Sequence, residues 1–148
     1  MNLDSLYTQL ILEHSRNCSN KRHLECATCS KRGYNPSCGD DITLELQLDG
    51  DRIVDAAFTG DGCAISQAST SIMIDLIRGR SAEEAQHLAD IFLRMIRREI
   101  KAEEELALLD EAIAFRNIAN MPARVKCVVL AWHTLQKAVQ EANSPNSQ

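Results

Sequence analysis

Aromatic residues are scarce in this chain of 148 residues: one Trp, two Tyr and three Phe, 4% in all. The core is therefore expected to be built mainly from Leu, Ile, Val and Ala. Gly (6) and Pro (3) are also few, which excludes a collagen-like repeat or Pro/Gly-rich low-complexity sequence. No stretch approaches the roughly 20 apolar residues that a membrane-crossing helix needs. There is no excess of positive charge either. Sixteen Lys and Arg against 21 Asp and Glu give a formal net charge of −5. That balance disfavours nucleic acid as the main partner, because its binding rests on clustered cations. The first residues, Met1-Asn2-Leu3-Asp4-Ser5, lack the basic start and apolar run of a secretory signal, so a cytoplasmic location is expected.

What remains is an ordinary globular composition, with 45% hydrophobic and 25% charged residues. A chain of this size hides about 68–70% of its unfolded surface and needs no disulfide staples. One domain over residues 1–142 is expected, with a disordered tail at 143–148. Six cysteines sit at positions 18, 26, 29, 38, 63 and 127. In a reducing compartment such residues more often bind metal, do chemistry or pack as small hydrophobes than pair as disulfides.

The apolar spacing of Leu3, Leu6, Tyr7, Leu10 and Ile11 predicts a helix that fades near Asn17. Residues 18 to 37 read as loop with one short strand at most. Ile42, Leu44, Leu46 and Leu48 alternate with polar residues, as do Val54, Ala56 and Phe58. Asp49-Gly50 between the two runs predicts an antiparallel hairpin. Helical spacing resumes with Ile65, Ala68, Ile72 and Leu76 and stops at Gly79. Ser81 and Glu84 form a capping-box signature opening a helix through Leu88, Ile91, Phe92, Met95 and Ile96. A short helical piece is expected around Leu106 to Ile113. Pro122 suits the first turn of a last helix whose Val125, Val128, Val129, Trp132 and Leu135 face the core. The class is α+β: a small antiparallel sheet of about three strands covered by helices.

Three cysteines fall near element ends. If the extended backbone starts at Cys38, then Cys38, Asp40, Ile42 and Leu44 share the buried face. The Asp40 carboxylate then points into the protein, where it is costly unless a cation meets it. Cys63 follows Gly60-Asp61-Gly62 at a helix start, where the dipole and free N–H groups favour a thiolate. Cys127, in the second turn of the last helix, borders the apolar face and taken alone reads as a small core residue. Three thiolates and one carboxylate together make a tetrahedral donor set for zinc, or for iron. Cys26-Ala27-Thr28-Cys29 is a C-x-x-C pair with no evident completing ligands and reads as a non-essential loop pair. The arginines at 94, 97 and 98 read as a solvated helix face, and His14, His87 and His133 receive no role.

Asn35-Pro36-Ser37-Cys38-Gly39-Asp40, Gly60-Asp61-Gly62-Cys63-Ala64-Ile65-Ser66 and Arg124-Val125-Lys126-Cys127 resemble the motifs of the U-type iron–sulfur cluster assembly proteins. The order of elements agrees from Ser5 to about Val139. Three departures separate the chain from the IscU type. Lys126 stands where that type carries a ligand histidine. Asn120-Met121-Pro122-Ala123-Arg124 does not match its Leu-Pro-Pro-Val-Lys chaperone segment. The Cys63–Cys127 interval also holds an extra helical segment around Leu88–Glu105. All three features are similar to the SufU branch, found mainly in Gram-positive bacteria.

The resemblance implies an IscU/SufU-like fold and a zinc site made of Cys38, Asp40, Cys63 and Cys127. It implies a SufS-type cysteine desulfurase as partner, whose persulfide passes its sulfur to Cys38, with downstream iron–sulfur assembly components as recipients. In the family picture a histidine of the desulfurase takes the place of Cys38 on zinc and frees its thiolate. Arg124 and Lys126 are expected to offset the charge of the site, and Arg124 to face the desulfurase. The competing expectation is a scaffold that builds a [2Fe–2S] cluster on the same residues; a structural zinc module for macromolecules is the third. No nucleic acid and no membrane is expected among the partners.

Overall fold

The computed structural model describes residues 3–100 and 102–143. In chain order it forms α1 (Leu3–Arg16), β1 (Cys29–Asn35), β2 (Asp40–Asp49), β3 (Arg52–Asp61), α2 (Ala64–Ile77), α3 (Ala82–Ile96), α4 (Glu103–Leu106), a 3-10 stretch (Ala107–Asn120) and α5 (Pro122–Asn143). The expected tail lies outside the described residues, apart from Asn143 at the end of α5.

The three strands form one antiparallel sheet in the order β1-β2-β3. Asn35 pairs with Asp40 across the first hairpin and Asp49 with Arg52 across the second. Ile42, Leu44, Leu46, Ala56 and Phe58 give the sheet its buried face. Val54 departs from the alternation read in the sequence. A bulge pairs Leu48 with Ile53 and Gln47 with Asp55, so Val54 is left unpaired and exposed while Ile53 is fully buried. The outer edge of β3 is closed by backbone bonds rather than by another strand: Phe58 N–H to Asn20 O at 3.0 Å and Ile53 N–H to Arg80 O at 2.8 Å.

Helix α5 lies against β1 and β2, and α2 lies against β3, α1, α5 and the 3-10 stretch. With neighbours on so many sides, α2 buries far more than the single stripe its spacing predicts: Ser66, Ser69, Thr70, Ser71, Met73, Ile74 and Ile77 are buried besides Ala68, Ile72 and Leu76. Gly79, at φ +86, ends it just past Arg78. The Ser81–Glu84 capping box opens α3, and Leu88, Ile91, Phe92, Met95 and Ile96 are all buried. Phe92 stacks on Trp132 with centroids 4.0 Å apart, which fastens α3 to α5. The short helix expected around Leu106 to Ile113 is instead one α turn followed by 3-10 geometry, interrupted at Asp110 by φ 50.

Two polar contacts fix α5 against α2. Ser69 Oγ donates to Val128 O at 2.7 Å and accepts from Trp132 Nε1 at 2.9 Å. Both partners are fully buried on α5. On the opposite side, Gly33 of β1 lets the strand run close to Leu130 and Thr134, where a Cβ would collide with the Thr134 hydroxyl. These contacts set the height of α5, and with it the position of Cys127.

Candidate metal centre

Cys38 stands on the four-residue loop between β1 and β2. Its N–H donates to Asn35 O at 3.3 Å, while Asn35 Oδ1 accepts from Ser37 N–H at 3.2 Å, a side-chain turn that Asn favours. Gly39, at φ +69, then swings the chain into β2. The extended run expected from Cys38 is therefore absent; β2 begins at Asp40. The conclusion drawn for Asp40 survives, because this residue leads the buried face of β2 and is 0% exposed.

Cys63 is the N-cap of α2, and its sulfur accepts the Ser66 N–H at 3.4 Å. The unpaired amides of a helix start thus turn toward the sulfur rather than to water. The adjoining backbone is equally committed: Cys63 N–H donates to Asp40 Oδ1 at 2.9 Å. Gly62 makes that approach possible, because a Cβ on it would stand 2.7 Å from Asp40 Oδ1. Cys127, 0% exposed, comes from α5.

The elements bring these residues together. The sulfurs of Cys38 and Cys127 are 2.9 Å apart, longer than the roughly 2.05 Å of a disulfide, and all six cysteines are free thiols. One ligand atom from each of Cys38, Asp40 and Cys127 falls within 4.8 Å of the others. Cys63 also contacts Cys127. Burial, hydrogen bonds to Cys38 and Cys63, and the nearby charges of Cys63 and Asp40 all push the Cys127 thiol well above its ordinary range. A cation sharing the pocket would oppose that shift and favour the thiolate. Asp40 Oδ2 gives the complementary signal. It is buried and has no hydrogen-bond partner, a costly state for a carboxylate oxygen that a cation would relieve. The sulfurs of Cys38 and Cys127 and a carboxylate oxygen of Asp40 lie close enough to share a cation of the zinc or iron type, with Cys63 next to Cys127 but outside that trio.

The remaining sequence candidates lie further out. Arg124 and Lys126 are exposed on α5, and among the described residues neither takes part in an ion pair. Cys18 and Cys26 are exposed, and Cys29 bonds to Ala138 O at 3.4 Å; these three add nothing to the centre. His14 is more engaged than its helix position indicated, sitting between Ser71 Oγ at 3.3 Å and Glu111 Oε2 at 3.0 Å. Of the three arginines read as a solvated face, Arg94 and Arg97 make exposed pairs with Asp90 and Glu99. Arg98 instead bonds to Ala119 O and Asn120. Two residues of the centre were not singled out from the sequence: Gly62, read only as part of a turn, and Ser66, whose backbone reaches Cys63. The Gly-x-Gly-Cys spacing carried the first signal; nothing in the sequence carried the second.

Fold and centre together define a small α+β protein that gathers three thiols and a carboxylate from a hairpin loop, a helix start and a C-terminal helix. The chain belongs to the family of the NifU-like N-terminal domain, whose model matches residues 6–147. It is 39% identical over 145 residues to the zinc-dependent sulfurtransferase SufU of Bacillus subtilis (strain 168), covering 98% of this chain and 97% of that protein. It is 40% identical over 141 residues to the iron–sulfur cluster assembly scaffold protein IscU of Streptococcus pyogenes, covering 95% and 86%. Among solved structures, a SUF-system protein of Fervidobacterium islandicum AW-1, assigned as an iron–sulfur cluster assembly scaffold, superimposes with a TM-score of 0.84 at 38% identity, covering 93% of this chain and 99% of that one. The expected α+β fold and the resemblance to the SufU and IscU proteins are both borne out. No helix among the described residues is long and apolar enough to cross a membrane.

Proposed function

We propose that this chain is a zinc-dependent sulfur acceptor in iron–sulfur cluster assembly, with Cys38, Asp40, Cys63 and Cys127 holding the metal and Cys38 receiving the sulfur. The observation that carries the reading is the unpartnered Asp40 Oδ2, buried beside the sulfurs of Cys38 and Cys127. The name and near full-length match of the Bacillus subtilis relative support zinc in particular.

When bound, zinc would keep the sulfurs deprotonated and shielded from oxidation. The chain's own residues divide the remaining work. Cys127 is fully buried on α5 and unreachable from outside. Cys63 is held by the Ser66 N–H. Cys38 is half-buried on a loop, which makes it the sulfur that a partner can approach and that can leave the set with least rearrangement. The donor is a cysteine persulfide on a cysteine desulfurase. The Cys38 thiolate attacks its terminal sulfur, the S–S bond of the donor breaks, and the donor cysteine departs as a thiolate. Cys38 then carries the persulfide, any proton on the transferred sulfur travels with it, and no external oxidant is required. Three thiolates and a carboxylate around a dication leave a formal charge of about −2. The exposed cations Arg124 and Lys126 flank Cys127 on α5, offset that charge and face the partner. We assign this work to a single domain over residues 1–142, in the cytoplasm.

The purified chain is expected to hold one zinc and to raise the turnover of a SufS-type desulfurase with cysteine. Cys38→Ser should abolish the stimulation while the fold persists. Normal stimulation by that variant would remove Cys38 as acceptor. A chain that rejects zinc, but assembles a [2Fe–2S] cluster anaerobically and passes it to an apo-acceptor, would establish the scaffold reading instead.

A further inference from the structure

Four buried side-chain polar atoms among the described residues have no hydrogen-bond partner: Asn35 Nδ2, Asp40 Oδ2, Ser66 Oγ and Gln67 Nε2. Three belong to the two motifs that carry Cys38 and Cys63, and Gln67 directly follows the second. One is the acceptor already discussed, and the other three can donate. Buried donors without acceptors are rare in folded proteins and each asks for a reason. For Ser66, which stands beside the centre, the anionic filled state supplies that reason.

Ser66 is the best placed. It is 1% exposed, and its backbone is fully used: the N–H donates to Cys63 Sγ at 3.4 Å and the carbonyl accepts from Thr70 Oγ1 at 2.8 Å. Its hydroxyl borders the gap left by the missing side chain of Gly62. A Cβ there would stand 3.2 Å from Ser66 Oγ and 2.7 Å from Asp40 Oδ1. The hydroxyl and the carboxylate therefore both border the same small gap at Gly62.

Building on the metal reading above, we propose that Ser66 is a positioning residue of this centre: in the filled state its hydroxyl donates to the Asp40 carboxylate. Together with the Cys63 N–H, which already binds Oδ1, it holds the carboxylate and leaves Oδ2 to the cation. The arrangement makes Asp40 a fixed ligand and leaves Cys38, on its loop, as the one that can detach.

The test compares the full chain with Ser66→Ala, Asp40→Ala and the double variant, using zinc competition against a chelator, the spectrum of the cobalt-loaded protein and thermal unfolding without metal. Loss of such a supporting hydrogen bond is expected to weaken zinc binding about 10- to 100-fold. The cobalt spectrum should change between the parent and Ser66→Ala. Metal-free Ser66→Ala should unfold at the parent's temperature or above it, because the hydroxyl has no partner to lose. In the Asp40→Ala background, Ser66→Ala should cause no further loss, since it acts through the carboxylate. Unchanged zinc affinity and spectrum in Ser66→Ala overturn the proposal. So does a metal-free Ser66→Ala chain that is destabilised, or a full additive loss in the double variant. A parent chain that binds neither zinc nor cobalt overturns the metal reading itself, and the role of Ser66 with it.

Discussion

The carboxylate of Asp40 occupies the space that a side chain at position 62 would need: its Oδ1 is 2.7 Å from the point where a Cβ on Gly62 would stand. The two residues are 22 positions apart in sequence, yet each is acceptable only because of the other. Gly62→Ala is therefore expected to push the carboxylate off the Cys63 N–H. Zinc affinity, read by chelator competition, should fall about 10- to 100-fold, with overpacking adding about 1–3 kcal/mol of destabilisation in denaturant titration. Retention of parental affinity would show that the carboxylate is free to move.

Removing the metal should lower the melting temperature, because a ligand bound only by the folded state adds stability by mass action, about 2.7 kcal/mol at a free concentration 100 times its Kd. The loss should be reversed by added zinc. Affinity should also fall as the solution is acidified, since protons compete for the three sulfurs and binding must release them. Burial, which pushes the Cys127 thiol up, adds to that competition. Differential scanning at several pH values with and without chelator measures both effects.

Ser69 sits between two buried groups of α5, accepting from Trp132 Nε1 and donating to Val128 O. Ser69→Ala leaves the indole N–H buried and unpaired, at a cost of about 1–3 kcal/mol in urea unfolding. Because Val128 adjoins Cys127, zinc affinity should fall too. A variant that unfolds like the parent would show that packing alone sets the height of α5.

Asp55 is expected to contribute to the acid side of stability. Burial opposes its ionisation, but Arg22, the Ala56 N–H and Arg78 outweigh burial and hold its carboxyl below the ordinary range. A group whose pKa is lower folded than unfolded adds stability above its unfolded value, near pH 3.9. That contribution fades as pH falls through the folded value. Asp55→Asn should lose stability at neutral pH and flatten the stability-versus-pH curve below about pH 4. An unaltered acid limb in that variant would assign the effect to other carboxylates.

Most of the secondary structure was legible in the sequence because it is set by short-range physics. Alternation fixed the phase of β2, Asp49-Gly50 marked the turn, the Ser81–Glu84 box opened α3, and Pro122 began α5. The failures were tertiary. Nothing local announced the bulge that exposes Val54, since it depends on how two strands meet. The burial of α2 on most of its surface depends on neighbours that only the assembled molecule supplies. Cys127 shows the same division. Its helix and its stripe were readable from periodicity, but alone it looked like a small core residue.

The sequence by itself determined most of the elements and the three cysteine motifs, because backbone preference and side-chain period act over a few residues. Only the tertiary structure decided that Cys38 and Cys127, 89 positions apart, stand with their sulfurs at 2.9 Å. It likewise decided that Asp40 Oδ2 and Ser66 Oγ are buried without partners. Such relations depend on the packing of α5 against α2 and β1, a balance of contacts summed over the whole core that no local run of residues encodes.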